Sequence, residues 1–238
     1  MQMLGRKLTG IAVAAVAVCL YASSGAYAAA SYNISDDWSS VTSSPGPWSY
    51  GEQNVLGGTL TNYQIETDYQ GGQVSLWNNP DAQSLCPAVF HNNTNQTITA
   101  FNTVTLNPFE TIFHPGNAGQ YSVIHFTAPT AGAYKITSAF GPRDLGRTDV
   151  FILANGSQLF SADLATDPNA SFTGTTNLAA GQTVEFAVSV RPGTQFYNDS
   201  TAIDATIAAV PEAATSVTFG LLFLAGLFVL RNRKRISE

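Results

Sequence analysis

Asp149-Val-Phe-Ile-Leu-Ala154, then Asn155-Gly156, then Ser157-Gln-Leu-Phe-Ser-Ala-Asp-Leu164 describes a β-hairpin. A type I′ turn needs φ > 0 at both central residues, and Asn-Gly meets that need at little steric cost. The segments around it follow the same pattern. Tyr121 to Ala128 alternates as a half-buried strand, Pro129 to Gly132 turns, and Ala133 to Phe140 returns with Tyr134, Ile136 and Ser138 on one face. Ala180-Gly181 turns again before Thr183 to Val190, where Val184, Phe186 and Val188 share a face, and Ala202 to Ala208 is a last strand. Short strands with turns every eight to twelve residues predict an all-β antiparallel sandwich.

The preceding stretch is more polar. Pro45-Gly46-Pro47 forces a turn, and residues 31 to 50 are rich in Ser, Asp and Trp. Leu56 to Tyr63, Gln73 to Trp77, Ile98 to Phe101 and Val104 to Phe113 read as strands; Asn78 to Cys86 and His91 to Asn95 read as loops. No internal repeat is present. One sandwich spanning residues 29–209 is expected, against the alternative of two subdomains divided near Asn107-Pro108.

The chain has 238 residues. From Asp36 to Asp204 there are fourteen acidic residues and four basic ones (Lys135, Arg143, Arg147, Arg191), a net charge of −10. Such a field repels nucleic acid and anionic membranes. Outside the N-terminal segment Cys86 is the only cysteine, so no disulfide can form within that part of one chain, and it reads as a small buried hydrophobe. No Cys/His cluster has zinc spacing.

Both ends carry addresses. Arg6 and Lys7, the apolar run Leu8 to Ala22, and the small-x-small site Ala26-Tyr27-Ala28 form a secretory signal peptide over residues 1–28, to be cut by signal peptidase. Cys19 does not make it a lipoprotein leader, since Val18 stands where a small residue is required. Residues 210–238 run Val210-Pro211-Glu212, an apolar stretch from Ala213 to Leu230, and Arg231-Asn232-Arg233-Lys234-Arg235. Eighteen helical residues span about 27 Å, close to the roughly 30 Å of a bilayer core. The cations Arg231, Arg233, Lys234 and Arg235 keep the end cytoplasmic. This order of parts resembles the PEP-CTERM sorting tail of bacterial exported proteins, with Ala213 where the family usually has a second proline. The resemblance implies an inner-membrane precursor, recognition by an exosortase near Val210, Pro211 and Glu212, and delivery to the cell surface or extracellular matrix.

Gly46-Pro47-Trp48-Ser49-Tyr50-Gly51, Phe113-His114-Pro115-Gly116, Ala128-Pro129 through Ala133-Tyr134, Asn155-Gly156 and Phe196-Tyr197-Asn198-Asp199-Ser200 are similar to stretches of secreted jelly-roll domains that carry this tail. Those domains resemble, in outline, carbohydrate-binding modules with a galactose-binding-like sandwich. The resemblance implies a fold and a ligand class, extracellular polysaccharide, and assigns no catalytic residue.

The chemistry on offer suits binding. An aromatic face packs against sugar C–H groups, and Trp38, Trp48, Tyr50 and Trp77 are the candidates for such a platform. Trp48 and Tyr50 are the best pair, because residues two apart on a strand share a face. Set against this, large aromatics more often fill cores. His114 and the turn-like Asn198-Asp199 form a second candidate set, although Asx side chains commonly cap their own turns. His125 reads as structural. Asp36, Asp37, Asp199 and Asp204 are hard oxygen ligands from which a structural calcium site would draw. There is no Gly-x-Ser-x-Gly elbow, His-Glu-x-x-His or phosphate loop, and paired carboxylates for glycoside hydrolysis have no sequence spacing to read. A non-catalytic surface or matrix protein is expected, with carbohydrate binding by the sandwich; the alternatives are a purely structural surface protein and an exported glycoside-processing enzyme.

Overall fold

The computed structural model describes residues 29–144 and 148–211. The expected signal peptide with Ala26 and Ala28, the expected sorting tail from Glu212 through Arg231–Arg235, and Arg147 lie outside the described residues. The described residues form one compact unit. Among the described residues there is no helix, so none is long and apolar enough to cross a membrane.

In chain order the strands are β1 (Ser31–Asn33), β2 (Trp48–Gln53), β3 (Thr61–Asn62), β4 (Ile65–Tyr69), β5 (Val74–Gln83), β6 (Cys86–Asn92), β7 (Ile98–Ala100) and β8 (Val104–Leu106). They continue as β9 (Thr111–His114), β10 (Tyr121–Thr127), β11 (Gly132–Pro142), β12 (Thr148–Ala154), β13 (Ser157–Asp163), β14 (Ser171–Leu178), β15 (Thr183–Val190) and β16 (Thr201–Ala209). One sheet runs β14-β11-β16-β9-β6-β5-β4, with β1 also on β16; the other runs β13-β12-β15-β10-β2-β3; β7 and β8 make a separate hairpin. Every pairing is antiparallel. Strands β1 to β6, all before Asn107, are shared between both large sheets and the β7–β8 hairpin packs on the first, so the chain does not divide there.

The Asn155-Gly156 turn joins β12 to β13 with φ of 49° and 76° at its two residues, as the dipeptide predicts. The polar stretch departs from expectation in a regular way. Residues 78 to 83, expected as a loop, continue β5, and Asn78 pairs with both Ile65 and Ala88. His91 and Asn92, also expected in a loop, end β6. The expected strand from Val104 to Phe113 breaks at Asn107–Glu110, where Phe109 takes φ of 54°. β14, Ser-Phe-Thr-Gly-Thr-Thr-Asn-Leu, gives no apolar alternation because it is an edge strand, exposed at every second residue and only half-buried between them until Leu178.

Alternation places the core in two layers. Trp77, Val89, Phe113, Ile203 and Ile207 of the first sheet meet Tyr50, Ile124, Phe126, Ile152 and Phe186 of the second. Their alternate neighbours Leu76, Phe90, Ile112 and Ala202 point to the other side of the first sheet, where Ala100, Val104 and Leu106 of the β7–β8 hairpin cover them. The first sheet is therefore buried on both faces over part of its area, and the hairpin leaves hollows beside it.

Candidate functional site

The expected aromatic platform is not on the surface. Trp48 and Tyr50 are fully buried between the sheets, Trp77 is buried with them, and Trp38 is partly buried against the same cluster. The shared face of Trp48 and Tyr50 is real, but it is the inner one: their register against Phe126 and Ile124 turns both rings to the core. Each indole N–H is satisfied inside the protein, Trp48 by Asp37 Oδ2 at 2.9 Å, Trp38 by Ser75 Oγ at 2.8 Å, and Trp77 by the Ser39 carbonyl at 2.8 Å. Trp38 stacks on Tyr50 and on His91, with centroids 4.8 and 5.2 Å away. These four rings hold the loop before β2 onto the sandwich.

The four aspartates considered for calcium do not gather. Asp37 is bonded to Trp48, Asp199 is buried, and Asp36 and Asp204 stand at a cleft described below. Among the described residues no group of three or more His, Cys, Asp or Glu is arranged to hold a metal.

The structure does bring His114 and Asn198 together. β9 ends at His114, β16 begins at Thr201, and the pairing of Thr201 with Phe113 draws the segment before β16 alongside His114. Both residues line a cavity of about 290 Å³. Its floor is the outer face of the first sheet, Leu76, Ala88 and Phe90, and the β7–β8 hairpin contributes Phe101 and Val104. Phe196 and Tyr197 form the rim. Phe196 meets the His114 ring edge-on at 6.0 Å, Tyr197 packs on Phe196 at 4.3 Å, and Tyr197 is 61% exposed. Asp199 is buried next to this cavity without lining it.

The polar groups of the cavity have defined roles. The Pro115 carbonyl can only accept, so His114 Nδ1 donates to it at 2.8 Å and Nε2 is left as an acceptor. Burial holds the ring neutral, lowering its pKa to about 4 despite the Pro115 bond. Asp144 receives the Ser200 N–H at 3.2 Å and fixes the segment that carries Asn198. Cys86, a free thiol, lines the cavity too, and burial, with Asp144 adding, pushes it up to about 12. A thiol held protonated is a poor nucleophile. The cavity therefore offers an aromatic rim, the neutral His114 acceptor, the Asn198 amide, the Asp144 carboxylate and the hydroxyl residues Ser84, Thr103 and Ser200, which is equipment for holding a ligand that has both C–H faces and hydroxyls.

The sequence points to His114 and Asn198 as site residues but not to Phe196 and Tyr197. The available signal was an aromatic pair inside a Pro-, Gly- and Asn-rich segment, where a ring has little core to enter.

No protein-family model matches the chain, and no curated protein sequence matches it. Solved structures similar in outline include a family 35 carbohydrate-binding module from Clostridium thermocellum (15% identity, 62% of this chain and 100% of that chain, TM-score 0.31). Another is a structure of the CBM51-2 and INT domains of Clostridium perfringens ZmpB, with CBM51-2 in complex with GlcNAc (14% identity, 64% and 31% covered, TM-score 0.34). Pika GITRL is a third (14% identity, 38% and 79% covered, TM-score 0.27). At these scores the likenesses decide nothing about function.

Proposed function

We propose that this is an exported bacterial surface protein whose sandwich holds a carbohydrate in the cavity between His114 and Tyr197. The observation that carries the reading is Tyr197, exposed and packed on the half-buried Phe196, beside a cavity whose wall presents the neutral His114 acceptor and Asn198. A sugar ring stacks its C–H face on an exposed aromatic while its hydroxyls use such groups. The volume, about 290 Å³, sits at the small end of the roughly 300–1,000 Å³ usual for ligand pockets. A single ring or chain end is the fitting occupant. Strands β9 to β16 divide as β14-β11-β16-β9 and β13-β12-β15-β10, the order of a jelly roll, which supports the fold that the sequence resemblance implies.

Export and sorting rest on the two ends of the sequence: signal peptidase acts after Ala28, the helix 213–230 holds the precursor in the inner membrane, and an exosortase acts at Val210-Pro211-Glu212. The test of carbohydrate binding is a glycan array probed with the detergent-solubilised full chain beside Tyr197→Ala. Binding that the variant loses supports the reading. Silence across a broad array favours a second one, a structural surface protein without a ligand site, which the burial of Trp48, Tyr50 and Trp77 in the core independently supports.

A further inference from the structure

A second hollow lies on the outer face of the first sheet, over β11 and β16, with a volume of about 680 Å³. Its floor is made of the small residues Ala139, Gly141 and Ala202; the register pairs Gly141 with Ala202 and Ala139 with Asp204. The turn after β1 brings Asp36 to one wall, the β13–β14 connection brings Asn169 to another, and the β8–β9 turn brings Phe109.

That last turn is built rigidly. Arg143 Nε donates to Glu110 Oε2 at 2.8 Å and its Nη2 donates to Oε1, while Nη1 donates to the Pro142 carbonyl at 3.0 Å. Glu110 also accepts from the backbone and side-chain amides of Asn107, at 2.9 and 3.1 Å. Burial raises the Glu110 carboxyl, but the Arg143 and Asn107 bonds outweigh it and hold the group below its ordinary value. Four charge-assisted bonds thus fix the turn, and its apex, Phe109, is held at φ of 54° and is 53% exposed as a residue. A left-handed conformation is strained for a residue with a β-carbon. Here it presents a large apolar ring to solvent beside a cleft, the kind of local strain that gathers at ligand sites.

The charges of the cleft narrow the ligand. Arg143 is spent on Glu110, whereas Asp36 has no hydrogen bond to its carboxylate among the described residues and Asp204 receives only a long one, 3.4 Å, from Asn33. These two carboxylates accept from hydroxyls and repel anions. We propose that this cleft is a second carbohydrate site, separate from the His114 cavity, and that it takes a segment of an uncharged oligosaccharide. A ring stacks on Phe109, its hydroxyls donate to Asp36 and Asp204, and the small floor lets it lie against the sheet. Uronic acid and sulfated chains are excluded by charge. The cleft has more than twice the volume of the cavity, so it suits a stretch of chain where the cavity suits an end.

The test is calorimetric titration of the detergent-solubilised full chain with cello-, xylo-, manno- and chitohexaose and with hexagalacturonate. At least one neutral hexasaccharide is expected to bind, and hexagalacturonate is not. Phe109→Asn removes the ring while tolerating the positive φ, and Ala139→Trp fills the floor from an exposed position; each is expected to weaken binding at least tenfold. Asp204→Asn is expected to weaken it several-fold. Tyr197→Ala is expected to leave this binding intact, which separates the cleft from the cavity. Unchanged thermal unfolding of each variant guards against a folding defect. Failure of all four neutral hexasaccharides to bind overturns the proposal, as does binding that Phe109→Asn and Ala139→Trp both leave untouched. Loss in Tyr197→Ala alone would assign the binding to the cavity and likewise overturn it.

Discussion

Asp37 Oδ2 accepts the indole N–H of Trp48 at 2.9 Å, tying the loop before β2 to the largest side chain of the core. Trp48 is fully buried, so the bond satisfies a donor that water cannot reach. Asp37→Ala leaves that donor unpaired, at a cost of about 1–3 kcal/mol. Trp48→Ala opens a cavity and costs about 3–5 kcal/mol. Urea unfolding monitored by circular dichroism checks both, and a stability loss in Trp48→Ala smaller than in Asp37→Ala would contradict this account of the core.

His91 and His114 make folding sensitive to acid. Burial lowers each from the usual 6.5 to about 4. Between those two values the unfolded chain binds more protons than the folded one, so their contribution to stability falls as pH drops from 6.5 towards 4. At about 1.4 kcal/mol per unit this is roughly 3 kcal/mol for each ring. His91→Asn, which keeps a polar atom for Thr111, is expected to flatten the urea midpoint against pH over that range. An identical slope in the variant would remove His91 from the effect.

Gln53 pins the segment between β2 and β3. Its Oε1 accepts the Gly57 N–H at 3.0 Å, and its Nε2 donates to the Gly58 carbonyl at 2.9 Å and to Glu185 Oε2 at 3.2 Å. Burial raises the Glu185 carboxyl and the Gln53 bond opposes it. Gln53→Ala is expected to cost about 1–3 kcal/mol, with a deficit that grows as rising pH ionises Glu185 without the Gln53 bond, leaving it only the more distant His125 ring at 3.8 Å. Hydrogen exchange should quicken at the Gly57 amide; protection equal to the parent protein would argue against the clamp.

The sorting proposal concerns residues 210–238. Glu212→Ala, or deletion of Arg231–Arg235, is expected to leave full-length protein in the inner membrane. Cell fractionation and immunoblotting read this directly, and normal surface delivery of either variant sinks the exosortase reading.

The later strands were legible because their chemistry is local. Asn155-Gly156 can satisfy its turn without help from the rest of the chain, and Val184, Phe186 and Val188 declare one face by period alone. β14 escaped because an edge strand of Thr and Ser has no apolar face to declare, and the end of β5 because Asn79-Pro80-Asp81 carries turn residues into a strand. Trp48 and Tyr50 show a sharper limit. Spacing places them on a common side of a strand, but the partner strand decides whether that side is core or solvent. His114 and Asn198 are joined only by the pairing of β9 with β16, a contact between distant parts of the chain with no sequence signature.

The pairing of β16 has a mechanical consequence. Asn198 lies just before this strand, and Val210 follows directly after it, where its N–H meets the Ala133 carbonyl at 2.8 Å. β16 runs between β11 on one edge and β9 and β1 on the other. At about 3.3 Å per residue a nine-residue strand separates its ends by roughly 30 Å. If the tail is the tether and the cavity the grip, tension between them passes along the covalent backbone of this one strand. Its ladders are loaded in shear along their length, and the sandwich need not open for the chain to bear the pull.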